Sequence, residues 1–83
     1  MYKVVLERVA EKDLDALDTA VAKRIIAHLL LLEENPRRAG GKKIFNKDAL
    51  WRMRVGDWRV IYGISDMQKE VSVYHIRHRS KAY

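Results

Sequence analysis

Arg52, Arg54 and Arg59 have the residue type and spacing most suggestive of chemistry in this sequence. They lie in Leu50-Trp51-Arg52-Met53-Arg54-Val55-Gly56-Asp57-Trp58-Arg59-Val60-Ile61-Tyr62, which alternates on both sides of Gly56-Asp57. Glycine at the first turn position favours a two-residue type II′ hairpin. That register pairs Val55 with Trp58, Arg54 with Arg59, Met53 with Val60, Arg52 with Ile61 and Trp51 with Tyr62. Directly paired residues share a face. One face therefore carries Trp51, Met53, Val55, Trp58, Val60 and Tyr62, a ready core surface, and the other carries the three arginines. Guanidinium groups bind phosphate bidentately and stay charged at any relevant pH, which suits them to gripping and neutralising a phosphodiester. An outward arginine is also ordinary solvation of an alternating strand, so the pattern alone admits both readings.

The other reactive side chains are less organised. Of the three histidines, His28 falls on a helical stretch beside Leu29 and reads as a half-buried structural residue. His75 and His78 have no cysteine or carboxylate placed to complete a metal site, so no metal is expected. His78 stands as a candidate for acid–base work. Glu11, Asp13, Asp15, Asp18, Glu33 and Glu34 read as a solvated helix face and its ends. Gly40-Gly41 lacks the flanking pattern of a phosphate loop, and the spacing suggests no Ser-His-Asp grouping.

The elements that must position these residues follow from periodicity. Tyr2 to Glu7 is rich in β-branched and aromatic residues and reads as a first strand. Leu14, Leu17, Val21, Ile25, Leu29 and Leu32 then recur at helical spacing. Asp18 and Thr19 suit an N-cap, which divides this stretch into a short helix and a long one running from about Thr19 to Glu34. Asn35-Pro36 stops it. Ile26, Leu30 and Leu31 lie outside the main apolar row, so the long helix packs on two sides or awaits a partner. Arg37 to Gly41 is a loop, Lys42 to Phe45 begins a second strand, and Val71 to Ile76 is the last strand. A four-residue loop before that strand puts Val71 and Val73 on the core face, whereas three or five residues turn them outward.

Eighty-three residues make one domain, 1–83, and not two. The absence of cysteine is compatible with a reducing cytoplasm. The longest apolar run, Leu29 to Leu32, is far short of a membrane span, and Met1 to Glu7 breaks off too soon for a signal peptide. Seventeen Lys and Arg against eleven Asp and Glu give +6, unevenly divided. Residues 1–36 carry five basic and seven acidic side chains, net −2; residues 37–83 carry twelve and four, net +8. Such asymmetry points to a polyanion-binding half, nucleic acid being the commonest cytoplasmic polyanion.

With the hairpin and the ending Ile76-Arg77-His78-Arg79-Ser80-Lys81-Ala82-Tyr83, the chain resembles the RelE/ParE toxin superfamily, and its RelE branch in particular. The fold implied is α+β: a strand, two helices, then an antiparallel sheet of about four strands with the helices on one face. The function implied is a type II toxin, an endoribonuclease that cleaves messenger RNA on the ribosome by attack of a ribose 2′-hydroxyl on the adjacent phosphate. The resemblance implies catalytic roles for Arg59, Arg77 and Tyr83, and substrate binding by Arg52, Arg54 and Arg79. Better-known members carry lysine where this chain has Arg52 and Arg54. It implies no cofactor, an acidic helical antitoxin as partner, and a cytoplasmic setting. The alternatives are a ParE-like DNA gyrase inhibitor acting by binding and a non-toxic basic RNA-binding module.

Overall fold

The structure, a computed structural model, describes residues 1–37, 40–44 and 50–81. Strand β1 (Lys3–Leu6) leads into helices α1 (Arg8–Asp15) and α2 (Thr19–Glu34). Asp18 occupies the α2 N-cap with extended backbone, although its side chain makes no capping hydrogen bond. The helix stops at Asn35, whose φ of −155° and ψ of 96° are the extended geometry that Pro36 imposes on its predecessor. One side of α2 buries Ile25, Leu29 and Leu32, while Ile26, Leu30 and Leu31 remain 44%, 55% and 50% exposed. Among the described residues, no helix is long and apolar enough to cross a membrane.

The rest is strand: β2 (Lys42–Lys43), β3 (Leu50–Val55), β4 (Trp58–Ser65) and β5 (Glu70–His78). Of the second strand expected from Lys42 to Phe45, Phe45 lies outside the described residues. The β3–β4 register is the one the hairpin turn demands, with Met53 opposite Val60 and Arg54 opposite Arg59. Gly56 has φ +63° and Asp57 does not share the positive sign, which is the type II′ pattern. Four residues, Asp66 to Lys69, join β4 to β5, and Val71 and Val73 accordingly face the core.

The sheet has five strands in the order β1-β5-β4-β3-β2, and β1 runs parallel to β5 where an antiparallel sheet was expected. A parallel partner needs a long crossover, and the two helices supply one. The pairing sets Val4 against Val71 and Leu6 against Val73, so apolar side chains meet on the covered face. Helix α1 packs along β5, and α2 lies over β1 and β3.

Tyr62 sits fully buried at the centre, its ring stacked on Trp51 at 6.4 Å between centroids. Its hydroxyl donates to the Pro36 carbonyl at 3.1 Å, and burial pushes the phenol up to about 12. A side chain at Gly41 would fall on that hydroxyl. Gly41 can therefore pass the Tyr62 hydroxyl closely, next to Lys42 at the sheet edge.

Candidate nucleic-acid interface

The face of the sheet away from the buried core is laid out in rows, because residues paired across strands share a side. Arg54, Arg59 and Arg77 are successive partners across β3, β4 and β5. Neighbouring strands lie about 4.8 Å apart, so these positions form a line roughly 10 Å long. The next row runs Lys42, Arg52, Ile61, His75. Two shallow clefts open between the basic side chains. One of about 180 Å³ is lined by Gly40, Lys42, Arg52 and Arg54. The other, of about 140 Å³, is lined by Arg54, Gly56, Asp57, Arg59 and Arg79.

Arg77 reaches the first row through an irregularity. Ile61 pairs with His75 and Tyr62 with Val73, which leaves Tyr74 unpaired as a bulge. Strict alternation from the buried Val73 would have turned Arg77 toward the core. The extra residue shifts the phase, so Ile76 is buried opposite Val60 and Arg77 stands opposite Arg59. Tyr74 lies over Gly63, where a β-carbon would come within 3.0 Å of its hydroxyl.

Beyond Val73, β5 has no strand on its outer side, and α1 supplies the missing contact. The Asp13 carboxylate accepts the Ile76 N–H at 2.9 Å, and its Oδ2 is 3.5 Å from Arg77 Nε. That nitrogen is buried and in ion-pair reach, though without hydrogen-bond geometry. Asp13 is thus no solvated helix carboxylate; it is turned inward by the uncapped end of β5. Arg79 is tied to the β3–β4 turn, its N–H donating to the Asp57 carbonyl at 2.8 Å and its Nε lying 3.8 Å from Asp57 Oδ1.

The histidines separate. His28 is half-buried, its Nδ1 2.8 Å from the Arg24 carbonyl. His78 pairs with Trp58, on the opposite face from the arginine row, and meets its indole edge-on at 5.2 Å. His75 shares the arginine face. Burial, and then the neighbouring Arg77, push its imidazole below the ordinary value, with Asp13 opposing. Its Nδ1 is buried and lacks a hydrogen-bond partner.

The structure thus brings Arg52, Arg54, Arg59 and Arg79 around two adjoining clefts and sets Arg77 in line with Arg54 and Arg59. Tyr83 lies outside the described residues. No cluster of three or more metal-binding side chains occurs among the described residues. Sequence reasoning missed Lys42, Asp13, Asp57 and Tyr74. Lys42 carried a signal, a lysine pair beside a strand start, but its register against Arg52 depends on loop geometry. Asp13 and Tyr74 are placed by the end of β1 and by the bulge, neither of which leaves a local mark.

The comparisons with known proteins agree with this architecture. The family model of the ParE toxin of the type II toxin–antitoxin system parDE matches residues 4–83. Toxin RelE of Mycobacterium tuberculosis is 32% identical over 83 residues, spanning 99% of this chain and 86% of that protein. A chain of the Mycobacterium tuberculosis RelBE2 toxin–antitoxin complex superposes with a TM-score of 0.85 at 25% identity, over 94% of this chain and 98% of that one. A chain of the RelE–RelB complex from Pyrococcus horikoshii gives 0.80 at 26% identity, over 98% of each. With a strand, two helices and four further strands, three of which carry an arginine row, and with these relatives along its length, the chain belongs to the RelE/ParE superfamily of type II toxin–antitoxin toxins.

Proposed function

We propose that this toxin is an endoribonuclease that cuts messenger RNA on the ribosome. The observation that carries this reading is the Arg54–Arg59–Arg77 row flanked by Arg52 and Arg79. In the reaction, a ribose 2′-hydroxyl gives up its proton and its oxygen bonds to the adjacent phosphorus. The bond from phosphorus to the 5′-oxygen breaks and that oxygen takes a proton, leaving a 2′,3′-cyclic phosphate and a 5′-hydroxyl. Negative charge builds on the phosphoryl oxygens during attack, and fixed cations placed there act mainly on the transition state. Arg59, at the centre of the row, is assigned to the scissile phosphate, with Arg77 beside it; Arg52, Arg54 and Arg79 hold the flanking chain. Tyr83, outside the described residues, is assigned to the reacting nucleotide on the family resemblance. No cofactor enters this reaction.

Relatives such as the Pyrococcus horikoshii toxin are solved as RelE–RelB complexes. By the same logic this chain is held inactive by a cognate antitoxin, an acidic helical protein lying on the basic half and covering Ile26, Leu30 and Leu31. The match to the ParE model supports a second reading, a DNA gyrase inhibitor that acts by binding. Primer extension on translated messages after expression separates the two. Cuts within codons select the nuclease; DNA-damage signalling without RNA cuts selects the gyrase inhibitor.

A further inference from the structure

The arginine face continues beyond its two basic rows into a third of different character. Leu50 pairs with Gly63 and Gly63 with Ser72, a row without charge, and the ring of Tyr74 lies over Gly63. Tyr74 is 41% exposed, yet its ring is seated on the sheet by the missing side chain of Gly63. The bulge that sets Arg77 into the phosphate row also leaves Tyr74 on this face. Phosphate-binding groups at one end and a platform-mounted ring at the other match the two parts of a single-stranded nucleotide chain. Successive rows are two residues apart along a strand, or about 6.8 Å, so the ring of Tyr74, over Gly63 two rows on, lies about 14 Å from the arginine row. That is within reach of a nucleotide near, but not at, the cut.

We propose that Tyr74 is a stacking site for an unpaired nucleobase of the RNA whose scissile phosphate lies on the Arg54–Arg59–Arg77 row, an inference that rests on the nuclease reading above. Every base offers a π-face, so the site is tolerant of base identity and contributes to binding rather than to the chemical step. The phenol hydroxyl has no part in it.

Single-turnover cleavage on programmed ribosomes over a range of toxin concentrations tests this. Tyr74→Ala is expected to raise the half-saturating concentration roughly 5- to 150-fold, the loss typical of one base–aromatic stack, with the rate at saturation nearly unchanged. Tyr74→Phe should behave as the parent and Tyr74→Leu as the alanine variant. On a message with an abasic nucleotide at the stacking position, parent and Tyr74→Ala should become equal. Unchanged saturation for Tyr74→Ala on the intact message overturns the proposal. So does a loss that persists on every abasic message, since that would be structural. The nuclease reading fails separately, if the parent cuts nothing. Tyr74 is then judged by NMR titration of the parent with a short single-stranded RNA, where stacking moves its ring protons upfield. RNA binding that shifts the arginine side chains and not Tyr74, or no RNA binding at all, overturns the proposal.

Discussion

Arg77 stands directly opposite Arg59 across β4 and β5, and it does so because Tyr74 is one residue too many for a regular strand. Deleting Tyr74 alone should remove the bulge and leave His75 and Arg77 outward and Ile76 inward, in unbroken alternation from Val73. Deleting Tyr74 and His75 together should turn Ile76 outward and Arg77 toward the core. An unpaired buried charge costs several kcal/mol against a total stability of about 5–15 kcal/mol. The double deletion should show no cooperative thermal transition, whereas deletion of Tyr74 alone, and Tyr74→Ala, which keeps the bulge, should each melt cooperatively.

Arg59 lies mid-row, with an arginine on each side. Loss of a preorganised charge at a developing oxyanion typically costs about 10²–10³ in rate. Arg59→Ala should slow single-turnover cleavage on that scale at saturating toxin and leave ribosome association and thermal stability close to the parent. Arg52→Ala, one row away, should weaken substrate binding more than it slows bound turnover. Cleavage by Arg59→Ala as fast as the parent would reduce the arginine face to a docking surface.

Asp13 accepts the Ile76 N–H and faces Arg77 Nε, two separable tasks. Asp13→Asn keeps an acceptor for the amide and removes the charge; Asp13→Ala removes both. An unsatisfied, partly buried amide costs about 1–3 kcal/mol, so the alanine variant should melt well below the asparagine one. If the carboxylate orients Arg77, the activity lost in Asp13→Asn should largely disappear in an Arg77→Ala background, a non-additivity that a double-mutant cycle measures.

Gly41 passes Tyr62 so closely that a β-carbon would strike its hydroxyl. Gly41→Ala should cost about 1–3 kcal/mol, the usual range for overpacking a core. Because the displaced segment carries Lys42 beside Arg52, substrate affinity should fall with stability. Pairing Gly41→Ala with Tyr62→Phe, which removes the struck oxygen, should recover part of both; calorimetry and binding together check this.

Asp66 joins three parts of the chain, accepting from the Tyr2 hydroxyl at 2.6 Å and from both terminal nitrogens of Arg37 at 2.9 and 2.8 Å. These partners, Arg37 first, hold its carboxyl down to about 2. With the folded value below the unfolded one of about 3.9, its contribution is complete above that value and is lost as pH falls through about 2. His75 is also depressed, by burial and then by Arg77, so the unfolded chain takes up its proton first. Stability should therefore decline as pH drops below about 6.5. Melting curves of Asp66→Asn and His75→Gln should each flatten in the corresponding window and nowhere else.

Local chemistry was enough for much of this protein. Glycine before aspartate between two alternating runs set the β3–β4 register, because the turn type dictates which residues face each other; Arg52, Arg54 and Arg59 could then be assigned to one side. The bounds of α2 followed from Asp18 and from the restriction Pro36 places on Asn35. What lay beyond the sequence depends on contacts between distant segments. The parallel docking of β1 on β5 is chosen by apolar matching of Val4 and Leu6 with strand positions 71 and 73. The phase of β5 past Val73, and with it the side on which Arg77 stands, turns on whether one residue is accommodated as a bulge. That is settled by burying Ile76 against Val60 and seating Tyr74 over Gly63, which no window of neighbouring residues encodes. Asp13 became part of the site only because β1 ends at Leu6 and leaves the Ile76 amide for a helix to satisfy.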